Sequence, residues 1–183
     1  MIRFLDVCLA TIGLLVALPL LVTIALVGLF DTGSPLFLQQ RVGRFQKPFT
    51  LIKVRTMKKG TESVATHLAR STDITPFGRF LRQTKLDELP QLWNVLVGQM
   101  SLVGPRPCLP GQRRLILERD SRGVFDSRPG ITGLAQVKHI DMSTPVLLSE
   151  TDQEMLRQLN LRTYFKYLFL TLIGNGRGDR VIH

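Results

Sequence analysis

Residues 7–30, VCLATIGLLVALPLLVTIALVGLF, carry no charged side chain and a single proline, Pro19. About 20 apolar residues are enough to span the hydrocarbon core of a bilayer, so a chain with this segment is a membrane protein. A secretory signal fits poorly, because the apolar run exceeds the usual ~7–15 residues and its basic flank is thin, Arg3 being offset by Asp6. The segment is therefore expected to stay attached. Pro19 removes one backbone N–H and sets its ring against the carbonyl of Leu15, a defect that kinks or breaks a helix. Two placements follow: a kinked helix that spans, its freed carbonyl satisfied by neighbouring groups, or a helix–break–helix that enters one leaflet and returns with both ends in the cytoplasm.

Arg3 and Asp6 cancel, so the whole formal net charge of +10 falls after residue 30. The positive-inside tendency puts that remainder on the cytoplasmic side. The chain divides into a membrane segment, residues 1–30, and a cytoplasmic domain, residues 31–183, long enough for one modest core. Cys8 lies in the apolar run and Cys108 far away among prolines, which gives neither a metal-ligand spacing nor a disulfide framework. His67, His139 and His183 likewise have no spacing that suggests a metal site or a catalytic triad. A basic domain beside a membrane points to anionic headgroups, nucleic acid or a phosphorylated substrate. Nucleic acid is the weakest of these, since there is no zinc-finger spacing, RNP-like motif or long basic helix. The sequence GNGRG at residues 174–178 imitates a phosphate loop but has no helix after it, and reads as a flexible tail.

After a turn at residues 31–35, residues 36–43 mix apolar and polar side chains as an interfacial segment does. Residues 49–57 are the best strand candidate, with Ile52 and Val54 alternating against Lys53 and Arg55. The two cations form either a solvated strand face or part of a phosphate site. Thr75 followed by Pro76 reads as an N-cap and first helical residue, opening a helix through Gln83 that carries Arg79 and Arg82 on one side. A second helix holds Leu89, Leu92, Trp93 and Leu96 at helical spacing, with Pro90 in its first turn and Asp87 and Glu88 at its start. Those carboxylates are either a cap with a dipole-favoured neighbour or groups that face a bound phosphate and a divalent cation.

Two further stretches, Gly104-Pro105-Arg106-Pro107 and Ser127-Arg128-Pro129-Gly130, hold one arginine each against prolines. Arginines on stiffened backbone suit a diphosphate, because the guanidinium fork matches phosphate geometry. Residues 110–122 are expected to form an amphipathic helix and residues 134–137 a short strand. Residues 161–173, LRTYFKYLFLTLI, are too short to span and fit an interfacial helix or a buried core helix. The fold expected is a helix-rich α/β domain with few strands, lying on the membrane through amphipathic helices.

Taken in order, the apolar N-terminal helix, Lys53-Val54-Arg55-Thr56-Met57, Leu86-Asp87-Glu88-Leu89-Pro90-Gln91, Gly104-Pro105-Arg106-Pro107 and Arg128-Pro129-Gly130-Ile131-Thr132-Gly133 resemble the bacterial sugar transferases, the monotopic phosphoglycosyl transferases. The resemblance covers nearly the whole chain and suggests a minimal member. It implies transfer of a sugar phosphate from a nucleoside diphosphate sugar, usually a UDP-sugar, to a polyprenyl phosphate such as undecaprenyl phosphate, with release of UMP. By the same resemblance Asp87 is the nucleophile, forming an aspartyl phospho-sugar, and Glu88 assists it. Mg²⁺ lies near Asp87, while Lys53, Arg55, Arg82, Arg106, Arg128, Gly130 and Gln136 bind substrate. The N-terminal helix is re-entrant, broken here at Pro19, and places the domain against anionic lipids on the cytoplasmic face of the bacterial inner membrane. Three positions depart from the family pattern. Leu18 stands where serine precedes the helix-breaking proline. Leu134 replaces the tryptophan after Ile-Thr-Gly. Met155 replaces the tyrosine of an Asp-x-x-Tyr motif whose aspartate, Asp152, remains. A binding-only relative, or a single-pass anchor with a basic lipid- or RNA-binding domain, are the other readings open to such a sequence.

Overall fold

A computed structural model describes residues 1–61 and 71–173; His67, His183 and the glycine-rich residues 174–178 lie outside them. The apolar segment forms helix α1 (Ile2–Asp31), among the described residues the one helix apolar and long enough to cross a membrane. It is helical through Pro19 rather than interrupted there, so the expected helix–break–helix is not present as two separate helices. One missing N–H bends a ladder without ending it when the turns on either side keep their bonds. The buried residues Asp6, Ala10, Ala17, Ile24 and Gly28 recur four or seven apart, a single stripe down one side of a helix. Phe4, Leu15, Val16, Leu26 and Phe30 stay exposed on other sides.

Both ends of that stripe are tied to the rest of the chain. Arg3 donates to the carbonyls of Val95 (2.7 Å) and Leu96 (3.0 Å). Buried Asp6 accepts through Oδ1 from the Ser101 hydroxyl (3.0 Å), the Leu102 amide (3.0 Å) and the Tyr164 hydroxyl (2.8 Å). At the other end Ile24 packs with Val54 and Leu81, and Asp31 accepts from the Thr75 hydroxyl at 2.7 Å.

Residues 36–42 form strand β1 (Leu36–Val42), paired antiparallel with β2 (Pro48–Val54) in the register Leu36 to Val54 through Val42 to Pro48. Alternation along β2 differs from the expected pattern. Phe49 and Leu51 enter the main core, and Val54 turns to the Ile24–Leu81 cluster. Helix α2 (Pro76–Thr84) begins as its sequence predicts, with the Thr75 hydroxyl accepting from the Gly78 amide at 2.9 Å. Gly78 is needed because a β-carbon there would meet the Thr56 carbonyl oxygen at 2.1 Å. After a tight turn at Leu86–Glu88 comes α3 (Gln91–Leu96).

Among the described residues the further strands and α-helices are β3 (Ser101–Val103), α4 (Arg113–Asp120), β4 (Gly130–Thr132), α5 (Leu134–Val137), α6 (Pro145–Gln158) and α7 (Leu161–Leu172). Strands β3 and β4 pair in parallel, Ser101 with Gly130 and Val103 with Thr132. Residues 134–137, expected as a strand, are helical, and the strand lies just before them. The main core joins Ala10 of α1 to Phe49, Leu51, Val95, Met100, Val103 and Tyr164. A second cluster gathers Val42, Cys108, Leu115, Phe125 and Leu148. Among the described residues the architecture is helix-rich α/β with two small two-stranded sheets.

Candidate active site

Strand β2 carries Phe49, Leu51 and Lys53 on one face, since side chains alternate with period two. Its apolar members are buried and Lys53 continues that face to Glu88, with Nζ to Oε1 at 2.8 Å. The same Glu88 oxygen lies 3.5 Å from the Arg106 guanidinium. Both side chains of the Lys53–Glu88 pair are nearly out of water, at 14% and 13% exposure, where Coulomb attraction is less screened than at the surface. Asp87 adjoins Glu88 and is itself buried. Neither carboxylate is a helix cap, because the turn at Leu86–Glu88 precedes Pro90, which occupies the N-cap position of α3. Lys85, just before them, closes α2 in the left-handed region (φ 58°) with its amide on the carbonyls of Leu81 and Arg82. That conformation is costly for a residue with a β-carbon.

Arg82, one turn back on α2, donates from Nε to the Thr56 hydroxyl at 2.8 Å, and its buried Nη1 has no partner. Gln136 on α5 also has both ends of its amide buried and unbonded. Buried polar groups are nearly always satisfied, so these atoms have unused capacity for a ligand or water.

Two of the expected substrate residues lead elsewhere. Arg55 donates to the carbonyls of Ser34 and Leu36, both at 3.2 Å, and lies over the Phe37 ring, so it braces the exit from α1. Arg128 donates from Nε to the Gly98 carbonyl at 2.8 Å, past the C-terminal end of α3, whereas Asp87 and Glu88 precede that helix. Its guanidinium pKa is pushed down by burial first, then by the charges of Arg3 and Arg44. Gly130 has a backbone role: a β-carbon on it would sit 2.0 Å from the Gly104 nitrogen, so the two arginine loops cross where neither has a side chain. Two of the three departures from the family pattern meet, since the Leu134 amide donates to the Met155 sulfur at 3.1 Å. Met155 is fully buried in the main core.

Several site-supporting residues escaped the sequence reading. Asn94 donates to the Thr50 carbonyl (2.8 Å) and accepts from the Ile52 amide (3.1 Å), serving the free edge of β2 as a third strand would. Arg41, Arg119 and Asp152 are buried charges around the Arg106 loop. Asp152 is marked in the sequence only as the aspartate of the altered Asp-x-x-Tyr motif, and nothing in their spacing marks Arg41 or Arg119, whose bonds to the Pro107 and Arg106 carbonyls and to Asp152 join distant elements.

Among the described residues no three His, Cys, Asp or Glu side chains gather as an all-protein metal cage. Mg²⁺ is usually held by one or two carboxylates with substrate phosphates and water. The adjacent carboxylates of Asp87 and Glu88 fit that donor set. The assembled groups can hold a phosphate between cations and present a buried carboxylate to it.

A family model described as bacterial sugar transferase matches residues 1–175. A putative undecaprenyl-phosphate N-acetylgalactosaminyl 1-phosphate transferase of Bacillus subtilis is 43% identical over 111 residues, covering 59% of this chain and 62% of its own. The UDP-glucose:undecaprenyl-phosphate glucose-1-phosphate transferase of Escherichia coli is 39% identical over 179 residues, 91% of this chain and 38% of its own. A protein of the same description from Caulobacter vibrioides is 38% identical over 161 residues, 85% of this chain and 58% of its own. The chain thus matches about two fifths to three fifths of the length of these relatives.

Proposed function

This chain belongs to the bacterial sugar transferase family, and from that premise we propose that it moves a sugar phosphate from a UDP-sugar to a polyprenyl phosphate, releasing UMP. The observation that carries the reading is the Lys53–Glu88–Arg106 ion cluster beside buried Asp87, because three separated sequence motifs converge there. The relatives' names, which pair a UDP-sugar or a sugar phosphate with undecaprenyl phosphate, support the substrate classes.

In the proposed first half-reaction an Asp87 carboxylate oxygen attacks the phosphorus that bears the sugar. A P–O bond forms to Asp87 as the bond to UMP breaks, and UMP leaves with the electron pair. In the second, an oxygen of the polyprenyl phosphate attacks the same phosphorus and frees Asp87. Splitting the transfer means that the two anionic substrates need not be bound together. Lys53 and Arg106 stabilise charge on the non-bridging oxygens, and Glu88 keeps these two cations in register. Arg82, with its unused Nη1, is suited to another phosphate oxygen. Mg²⁺, when held at Asp87, would neutralise part of the diphosphate charge.

The membrane placement proposed is monotopic, with the domain on the cytoplasmic face of the bacterial inner membrane. In support, both ends of α1 bind the same domain, through Arg3 and Asp6 at one end and Ile24 and Asp31 at the other. A helix of this length standing straight across a bilayer would carry its ends ~45 Å apart, on opposite faces. The exposed Phe165, Phe169 and Leu172 of α7, near Arg162 and Lys166, suit the inner-leaflet interface.

The test is intact-protein mass spectrometry after mixing detergent-solubilised protein with a panel of UDP-sugars and Mg²⁺, without lipid. The expected result is UMP release together with a phospho-sugar adduct, both absent in Asp87→Asn and discharged by undecaprenyl phosphate. An adduct that persists in Asp87→Asn would remove Asp87 as nucleophile. For the placement, a cysteine introduced beside Met1 is expected to resist periplasmic labelling, and labelling would overturn the monotopic reading.

A further inference from the structure

The loop that carries Arg106 has every backbone carbonyl from residue 105 to residue 108 occupied. Pro105 accepts from the Gly130 amide at 2.8 Å and Cys108 from the Val42 amide at 2.9 Å. Between them, Arg106 accepts from Arg119 Nη1 at 2.8 Å and Pro107 from Arg41 Nη1 at 2.9 Å. Arg119 is held in turn by Asp152, whose Oδ2 accepts from Nη2 at 2.6 Å and from Nε at 3.0 Å. Arg119 and Asp152 are 1% and 0% exposed.

Complete burial makes this pair a poor stabiliser. Taking two charges out of water is costly, and well-packed apolar residues of similar volume often do as well or better. What an apolar pair cannot do is donate to the carbonyl of residue 106. The flanking prolines already restrict the backbone on both sides. The root of the Arg106 side chain is therefore fixed while its guanidinium, partly exposed, reaches Glu88. We infer that the buried Arg119–Asp152 pair, assisted by Arg41, is a strut that positions Arg106 for phosphoryl transfer, so that the aspartate of the Asp-x-x-Met stretch serves the reaction through the loop and does not touch nucleotide or sugar. This rests on the reading of Arg106 as a phosphate-binding group. Small displacements matter at such a group, since ~1 Å of misplacement can cost about a hundredfold in rate.

The experiment replaces the pair by apolar side chains, Arg119→Met with Asp152→Leu, and measures steady-state UMP release, thermal melting and amide hydrogen exchange in the full chain. The expected result is a melting temperature near that of the wild type and faster exchange at Val42 and Gly130, whose amides donate into the loop. The kcat should fall about ten- to a hundredfold with little change in donor KM, and the loss should not multiply with that of Arg106→Met, as expected of coupled residues. A folded double variant with wild-type kcat, or losses that multiply independently, would overturn the inference. Should the double variant fail to fold, Arg119→Lys keeps the charge facing Asp152 but has no second nitrogen for the Arg106 carbonyl, and wild-type kcat in it would count equally against the strut. Failure of the transferase reading looks different: wild-type protein would release no UMP from any donor, while unchanged exchange at Val42 and Gly130 would still overturn the strut.

Discussion

The two arginine loops look alike in sequence and end in different surroundings. Arg106, between Pro105 and Pro107, follows β3 and meets Glu88, whereas Arg128, before Pro129, precedes β4 and meets the carbonyl of Gly98. The loops cross at Gly104 and Gly130, so close that a β-carbon on Gly130 would lie 2.0 Å from the Gly104 nitrogen. From that crossing their side chains go to opposite ends of α3. One charge faces a carboxylate beside Asp87. The other is spent on backbone and repelled by Arg3 and Arg44. A stiffened arginine is thus a component whose task is set by what the crossing loops deliver it to.

The largest effect expected from this contrast is kinetic. Arg106→Met should lower kcat for UMP release by about 10²–10³, the usual loss for one preorganised donor. Arg128→Met should lower it less than tenfold while costing about 1 kcal/mol of stability for the lost bond to Gly98. Equal kinetic losses would break the comparison. Next comes the crossing itself. Gly130→Ala is expected to destabilise by about 3 kcal/mol, the upper end of overpacking, because its new atom meets backbone. Gly111→Ala, with nothing within 4 Å of its β-carbon site, should be within about 0.5 kcal/mol of wild type. Thermal melts in detergent would separate them, and a mild Gly130→Ala would show that the loops can part.

The smallest effect concerns Cys108, which closes the first loop. Burial pushes its thiol pKa up, with Arg119 and Arg41 pulling the other way. The folded protein therefore keeps a proton that the unfolded chain releases near pH ~8.5. Stability from this group is full below that pH and declines as pH rises toward the folded value. Iodoacetamide at pH 8 should leave Cys108 unmodified until denaturant is added, and Cys108→Ala should flatten the alkaline decline. Rapid native labelling would show the first loop to be as open as the second.

Local signals were legible where their cause was local. Thr75 and Pro76 start α2 because the cap oxygen and the proline φ act within one turn. The helix expected over residues 161–173 is α7, opened by the reciprocal bonds of Asn160 and Thr163. The strand expected over residues 49–57 is β2, three residues shorter at its C-terminal end. Residues 134–137 failed as a strand because four residues carry no usable period, while the real β4 pairs with residues 29 positions earlier. At the site, Asp87, Glu88, Lys53 and Arg106 could be named from their motifs, and three of these side chains are joined by ion pairs. Arg41 and Arg119 could not, nor could the partner of Asp152, which the sequence shows only as the aspartate of an altered motif, since the role of a buried charge is recognisable only through its partner.

By itself the amino-acid order determined that α1 is apolar enough for a membrane, that Thr75 starts a helix, and which side chains are chemically able to hold phosphate. These depend on composition and on interactions within a turn of the chain. Only the tertiary structure decided that both ends of α1 dock on one domain, that Arg106 rather than Arg128 meets Glu88, and that Asp152 is sealed against Arg119. Those outcomes depend on burial and on hydrogen bonds between distant elements, and the same side chain contributes differently according to whether its partner or water is there.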